Sequence, residues 1–259
     1  MQPLYILLYP FIINILRYVQ AVNCPPSFNY RMHNICAVLI NRTVDFCTAN
    51  TICHEMGLQY TLRTSLIGMN VTKIIGNLSK VPPTFTSINK LLGNENTLRK
   101  GWYVGVPGYA SYITQGPDDE LWHQTQPNQA NELITVISGG KLHDVSQSRQ
   151  FAGFLCERVG DSNDLLNRSG TEKFSATFPK RLNSFYFPDN QNEGCVNEVE
   201  VKTLIECAKL CKLEIRCRSI YYNNVIKKCI MILFVDSLIS SNYRPQSKSI
   251  WVRYARPNW

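Results

Sequence analysis

The chain has 259 residues, of which 44% are apolar and 18% charged, and its formal net charge is +8. The length suits two modules of ordinary size, and the apolar content excludes a globally disordered chain because it can fill folded cores. The positive charge lies mostly in the second half and favours weak attraction to sulfated glycans, sialic acid or anionic membrane surfaces. No nucleic-acid-binding motif occurs, so we do not expect nucleic acid as a partner.

The chain begins with an apolar leader, residues 1–21, in which Leu4 to Leu16 is almost entirely hydrophobic. This run is too short to span a bilayer comfortably, and the small residues Val19 and Ala21 suit a signal peptidase. We therefore expect a signal peptide that is cleaved after Ala21 and a secreted, extracellular protein. The alternative is an uncleaved membrane anchor, since no Lys or Arg precedes the apolar run.

Ten cysteines follow in two groups, five between Cys24 and Cys156 and five between Cys195 and Cys229. Cysteines arranged in this way behind an apolar leader are typical of secreted modules that are braced by disulfides. Four Asn-X-Ser/Thr sequons also fit the secretory route and predict a glycoprotein. Their acceptor residues are Asn41, Asn70, Asn77 and Asn167.

The first cysteine group lies among mixed helix and strand signals. Apolar residues at helical spacing predict a helix over 43–56, with Cys53 on its buried face, Cys47 on its polar face and Gly57 at its C′ position. Residues 101–106 and 132–137 predict short buried strands, and the second of them precedes a Gly139-Gly140 turn.

These pieces, in their order and spacing, resemble the C-type lectin-like domain family across residues 24–158. The resemblance implies an α+β fold with small antiparallel sheets, flanking helices and long loops, and we assign residues 22–158 to this module. It also implies the disulfides Cys24–Cys36 and Cys53–Cys156. The matching pieces are Cys24-Pro…Cys36, Cys53 with Gly57, Trp102-Tyr-Val-Gly-Val, Trp122…Gln126-Pro127-Asn128 and Phe154-Leu-Cys156-Glu157.

Two departures from the family pattern bear on function. Leu133 and Gln147 stand where the family has its second core disulfide, so we expect more mobile ligand loops. The family's Trp-Asn-Asp calcium motif becomes Leu142-His143-Asp144 in this chain.

The resemblance implies a degenerate calcium and carbohydrate site around a loop in which the family's proline is cis. Calcium prefers six to eight oxygen ligands, and His143 offers a nitrogen in place of one of them. One interpretation is a weak calcium-dependent lectin site, and the other is a vestigial loop that binds protein or nothing. The candidate ligand-binding residues are Gln126, Pro127, Asn128, Glu132, His143 and Asp144, of which Gln126, Asn128, Glu132 and Asp144 could hold calcium.

A polar, cysteine-free stretch, residues 159–172, has the composition of a linker. After it, Thr203 and Glu206 form a capping box that predicts the start of a helix. Strands are predicted from Cys217, from Cys229 and over 249–254.

This second half resembles the PAN/apple domain family over about 174–256, and we assign residues 173–259 to it. In that family helix cysteines are bonded to neighbouring strands, which implies the pairs Cys207–Cys229 and Cys211–Cys217. A zinc knuckle is the alternative for four clustered cysteines, but it needs Cys-x-x-Cys pairs that this chain lacks.

Cys47 and Cys195 remain, one in each module. They could pair across the modules, form an intermolecular bond in a disulfide-linked dimer, or pair differently within the first module. Basic residues of the second module either form a patch for sulfated glycans or are an ordinary solvated surface. These residues are Lys209, Lys212, Arg216, Arg218, Lys227 and Lys228.

No hydrolase motif, metal-binding His-Glu-x-x-His or phosphate loop occurs, so we expect no catalysis. The sequence predicts an extracellular recognition protein that binds carbohydrate, with glycans or glycoproteins as partners and calcium as the only expected cofactor. The alternative is a calcium-independent protein-interaction or adhesion protein that uses its PAN/apple domain. A third hypothesis is a matrix component that forms disulfide-linked oligomers.

Overall fold

The computed structural model describes residues 24–32, 35–68, 70–93, 97–106, 121–161, 171–187, 194–244 and 250–257. The predicted signal peptide, the sequon at Asn167 and most of the predicted linker lie outside these ranges. Across the ranges described, no helix is both long and apolar enough to cross a membrane.

The first half of the chain folds around one mixed sheet. Its strands run in the order β1-β2-β7-β4-β5-β6, with β3 also paired to β7, and all pairings except β4 with β7 are antiparallel. The helices are α1 (Phe46–Gln59) and α2 (Val71–Ile74), which continues into a 3-10 turn over Ile75–Leu78. The strands are β1 (Tyr30–Met32), β2 (Ile35–Ile40), β3 (Leu62–Leu66), β4 (Thr84–Asn89), β5 (Ile134–Ser138), β6 (Lys141–Val145) and β7 (Gly153–Asp161).

Helix α1 begins and ends later than the helix predicted over 43–56. Asp45 is its N-cap, and one carboxylate oxygen accepts the backbone N–H of Thr48 at 2.8 Å. Gly57 lies inside the helix and not at C′, so that prediction is wrong. A Cβ at Gly57 would lie 2.5 Å from Thr64 Oγ1, which means that glycine is needed here for the close approach of β3 and not for a left-handed turn.

The strand predicted over 101–106 is an extended segment with a single bridge to β4. Tyr103 pairs with Asn89, and Gly105 N donates to Ser87 O at 3.0 Å. Trp102 and Val104 are buried, which explains the strand-like sequence pattern. The Gly139-Gly140 turn is present, and both glycines have the positive φ that a tight hairpin between β5 and β6 demands.

The second half contains a four-stranded antiparallel sheet in the order β11-β9-β10-β8, with α3 (Leu204–Leu213) packed against it. The capping box is present in a shifted form, since Glu206 N donates to Thr203 Oγ1 while Glu206 Oε2 accepts from Lys202 N. The strands are β8 (Cys195–Glu200), β9 (Cys217–Asn223), β10 (Lys228–Leu233) and β11 (Trp251–Ala255).

Five disulfides use all ten cysteines, and the four pairs implied by the two resemblances are among them. The fifth bond is Cys47–Cys195, which resolves the open alternatives in favour of a covalent link between the two halves. The mixed α+β class predicted from the sequence is confirmed.

The two halves share one apolar core in addition to this bond. Leu238 N donates to Leu91 O at 2.8 Å, and the buried guanidinium of Arg218 donates to Gly105 O at 2.6 Å. Strand β7 runs to Asp161 and pairs there with Leu62, so regular structure enters the stretch predicted as a linker. The two halves therefore form one packed unit.

Candidate functional site

The Gln126-Pro127 peptide bond is cis, as the family resemblance implied. Pro127 is buried, and the loop around it is held from two sides. Arg99 donates to the carbonyl of Gln126 at 3.1 Å. On the other side, Asp144 Oδ2 accepts the backbone N–H groups of Asn128 and Gln129 at 3.0 and 3.1 Å. The loop geometry is thus fixed by protein groups alone.

The β5–β6 hairpin positions the remaining predicted residues beside this loop. Asp144 lies opposite Thr135 and is buried, while Glu132 precedes β5 and is 8% exposed. A cleft of about 260 Å³ lies between the hairpin and the loop. Five predicted residues line it, namely Gln126, Asn128, Glu132, His143 and Asp144.

Two buried oxygen atoms of residues that line this cleft have no hydrogen-bond donor within the described part of the chain. They are Gln126 Oε1 and Asp144 Oδ1. An unpaired buried acceptor costs free energy, and such atoms in a folded protein call for a bound ion, a water molecule or a ligand. Together with Glu132 and the side-chain oxygen of Asn128, they give an all-oxygen donor set, which is the chemistry that a hard cation such as calcium needs.

The two carboxyl groups of the cleft also favour a cation. Burial raises the pKa of Glu132, and the neighbouring Asp144 raises it further, while Arg149 acts in the opposite direction. Burial raises the pKa of Asp144 against the lowering effect of the two backbone N–H groups. A positive ion in the cleft would therefore stabilise both ionised carboxylates.

His143 does not add to this donor set. Its ring stacks on that of His123 with centroids 4.9 Å apart, and burial, followed by the charge of His123, lowers its pKa. Within the described ranges, no group of three or more His, Cys, Asp or Glu side chains is placed to hold a metal ion. The oxygen set with only two carboxylates fits calcium in kind, at the weak end of its affinity range.

Sequence reasoning missed Arg149, which also lines the cleft. Its position two residues after Gln147 carried no family signal, yet it places a positive charge close enough to Glu132 to lower the pKa of that carboxyl. A cation in the cleft would have to overcome this charge, which would weaken its binding.

Gln147 and Leu133, at the positions of the absent disulfide, have separate roles. Leu133 is buried in the core. The Gln147 amide pairs with the backbone of Gly194 in the second half, since Nε2 donates to Gly194 O at 2.7 Å and Gly194 N donates to Oε1 at 3.0 Å. The segment that leads to Arg149 is therefore anchored to the second module.

Three of the six residues suggested for a basic patch in the second half bind groups within the protein. Arg218 is buried and binds Gly105, Arg216 is paired with Glu214 at 2.7 Å, and Lys228 forms an ion pair with Glu198. Arg218 is therefore wrong as a member of a surface patch, while a sulfated-glycan patch of the other residues stays a prediction.

The described sequons differ in accessibility. Asn41 and Asn77 are exposed. Asn70 is half-buried, and its Nδ2 donates at 2.8 Å to a carboxylate oxygen of the buried Glu157. The amide of Asn70 thus has a structural role that its sequon does not reveal.

Residues 189–251 match the family model described as "PAN domain". The match confirms the family predicted for the second module. No curated protein sequence matches the chain.

Solved structures similar to this chain include C-type lectin domains and type II antifreeze proteins. The carbohydrate-recognition domain of cow CD23, solved in the presence of a GlcNAc2Man3 oligosaccharide, is 16% identical, with 52% of this chain and 95% of that chain covered and a TM-score of 0.41. The lectin CEL-I from Cucumaria echinata is 14% identical, with 53% and 99% covered and a TM-score of 0.40. The mouse scavenger receptor C-type lectin domain is 17% identical, with 52% and 94% covered and a TM-score of 0.38.

Because these identities and TM-scores are low, nothing about the ligand of this chain follows from those proteins. The first half itself contains the hairpin disulfide, the bond from helix to closing strand and the cis-proline loop that the predicted C-type lectin-like fold includes. The two-module layout predicted from the sequence thus fits the structure, and residues 189–251 match the PAN domain model.

Proposed function

We propose that this chain is a secreted, glycosylated recognition protein whose first module, residues 22–158, binds carbohydrate through a weak calcium site. The observation that carries the proposal is that two residues lining one cleft each have a buried acceptor without a donor among the described residues, namely Gln126 Oε1 and Asp144 Oδ1. The leader, the fully paired cysteines and the exposed sequons support the extracellular part of the proposal.

Four residues would hold the ion: Gln126, Asn128, Glu132 and Asp144. Calcium, when bound, would supply coordination positions that vicinal sugar hydroxyls complete. Asp144 would have two tasks, because one of its oxygens fixes the loop backbone while the other has no donor among the described residues and could contact the ion. Since the backbone bonds already hold the cis-proline loop, the site is preorganised and little ordering cost accompanies binding.

The experiment is a glycan array probed with the secreted protein in calcium and in EDTA. We expect binding in calcium that EDTA removes and that Asp144→Asn removes as well. The Asn variant keeps an acceptor for the loop N–H groups but loses the charge. Glu200→Gln, which removes a carboxylate from the exposed end of β8, is the matched control and keeps binding. Glycan binding that survives in EDTA contradicts the proposal.

A second candidate function is calcium-independent protein interaction through the PAN domain, for which we propose residues 173–259. Exposed aliphatic side chains at one end of its sheet favour it, because clustered apolar surface often marks a protein contact. The hairpin between β9 and β10, the start of β11 and the first turn of α3 meet at that end. The side chains are Ile205, Val225, Ile226 and Ile250.

A further inference from the structure

Arg149 brings a positive charge to the candidate cleft, which lies between the β5–β6 hairpin and the cis-proline loop. Among the described residues that line this cleft, it is the only arginine or lysine. Arg149 is exposed, whereas the two carboxylate residues of the lining, Glu132 and Asp144, are buried. The cleft therefore combines buried acidic groups with one cationic group that solvent and ligands can reach.

The backbone on both sides of Arg149 is anchored. Two residues before it, the amide of Gln147 is paired with the backbone of Gly194 in the second half. Two residues after it, Phe151 exchanges backbone hydrogen bonds with Val44 at 3.1 and 3.2 Å. The point at which the side chain of Arg149 leaves the backbone is therefore fixed, and only the side chain itself has to be ordered by a ligand.

The guanidinium of Arg149 makes no hydrogen bond or ion pair with the residues that the structure describes. Arg253 and Arg256, by contrast, are each paired with a carboxylate. The charge of Arg149 reaches Glu132, whose pKa it lowers, without a direct bond. Its planar fork of N–H donors is thus available to a ligand, and that geometry matches the two oxygens of a carboxylate or a sulfate.

The charge balance of the occupied cleft would favour an anionic ligand. The carboxylates of Glu132 and Asp144 would together balance the charge of a calcium ion, which leaves the charge of Arg149 in excess. His143 adds no further charge when its imidazole is neutral, and burial, followed by the charge of His123, favours that state by lowering its pKa. A sugar with one anionic group would bring the sum of charges to zero, and a neutral sugar would not.

Another part of the lining is apolar and suits a sugar ring. Val136 and Val145 are buried, and Phe151 is half-buried. The ring of Phe151 meets that of Phe85 edge-on, with centroids 5.2 Å apart, which holds it in place. The C–H face of a sugar can pack on such a ring while its hydroxyls reach polar atoms. The cleft, at about 260 Å³, has room for a single sugar ring.

We propose that the candidate cleft selects a sugar that carries an anionic group, a carboxylate or a sulfate, and that Arg149 is the residue that makes this selection. The guanidinium would pair with the anion while sugar hydroxyls complete the calcium shell and the ring lies against Phe151. The inference rests on the proposed calcium-dependent carbohydrate site and adds the ligand class to it. Because Gln147 ties this loop to Gly194, the contact between the two halves contributes to specificity.

The test compares three sugars that differ only in the group at carbon 6. They are methyl α-glucoside, methyl α-glucuronide and methyl α-glucoside 6-sulfate, each titrated by calorimetry into the secreted protein with calcium. The same comparison in the galactose series covers the other orientation of the hydroxyl at carbon 4. In at least one series we expect an anionic sugar to bind about fivefold more tightly than the neutral one, and the tighter of the two anions identifies the acid group.

Arg149→Gln separates this role from a structural one, because two affinities should move in opposite directions. The preference for the anionic sugar should shrink to less than about twofold, since the charge that pairs with the anion is gone. Calcium should bind at least about twofold more tightly, since a repulsive charge beside Glu132 is gone as well. The matched control is Arg181→Gln, which removes an exposed arginine outside the cleft and should change neither affinity. A variant that misfolds would lose both affinities together.

Three results would each overturn the inference. They are equal binding of anionic and neutral sugars in both series, a preference for the anionic sugar that survives Arg149→Gln, and no binding of any of these sugars. A calcium titration of the same samples shows which proposal has failed. If calcium still binds, only the inference about Arg149 is wrong, and if calcium does not bind, the proposed calcium site is wrong with it.

Discussion

The Cys47–Cys195 bond closes a long loop, and its removal is the sharpest test of how the two modules are held together. The bonded residues are 148 apart in sequence. Because Cys53–Cys156 already joins the chain between them, the shortest path runs from Cys47 to Cys53 and then from Cys156 to Cys195, a loop of about 45 residues. The chain-entropy relation gives about 4 kcal/mol for a loop of this length, compared with about 5 kcal/mol if the other bond is ignored.

The perturbation is the double variant Cys47→Ser/Cys195→Ser. Its free energy of unfolding, measured by denaturant titration without reductant, should fall by about 4 kcal/mol. The comparison is Cys24→Ser/Cys36→Ser, which opens a loop of 12 residues and should cost about 3 kcal/mol by the same relation. A loss below about 1 kcal/mol for the first pair would refute the reasoning, since the shared core and the Gln147–Gly194 pair would then suffice without the bond.

The remaining predictions concern single side chains and pH. Asn70→Ala leaves an oxygen of the buried Glu157 without its donor, so the free energy of unfolding by denaturant should fall by about 1–3 kcal/mol. The control is Asn77→Ala, which removes an exposed side chain and also a sequon and should change the same free energy by less than about 0.5 kcal/mol. Equal losses would refute the structural role of Asn70. Gly57→Ala places a Cβ 2.7 Å from a backbone oxygen of β3 and should lower the unfolding free energy by about 1–3 kcal/mol, and an unchanged midpoint would show that α1 and β3 are not so close. The raised pKa values of Glu132 and Asp144 mean that these carboxyls are protonated at a higher pH than ordinary carboxyls. Calcium affinity measured across pH should therefore already decline above the ordinary carboxyl pKa values of 4.5 and 3.8. Affinity that is constant down to those values would contradict the burial of the pair.

Much of the architecture could be predicted because cysteines and tight turns leave strong local signals. The bonds from Cys53 and Cys207 follow from family spacing, and the Gly139-Gly140 turn follows from the need for positive φ in a tight hairpin. Residues of the candidate cleft could also be predicted from the sequence, because some of them flank the proline of the family motif.

Other features depend on distant contacts that a sequence pattern does not contain. Glycine is common at helix ends, but Gly57 is required because β3 packs closely against it. Arginine is usually a surface residue, but Arg218 is buried and donates to the carbonyl of Gly105. Arg149 lines the candidate cleft because the loop that carries it passes beside that cleft. In each case the tertiary environment decides the role of the side chain, and local chemistry alone cannot.

The most direct test of the central claim is a calcium titration of the secreted protein by calorimetry, with Asp144→Asn beside it. We predict calcium binding in the range of about 0.1–1 mM, the range of extracellular calcium modules, and its loss in the variant. A wild-type protein that gives no heat, or a variant that binds calcium as well as the wild type does, would contradict the calcium site and favour protein recognition by the PAN domain.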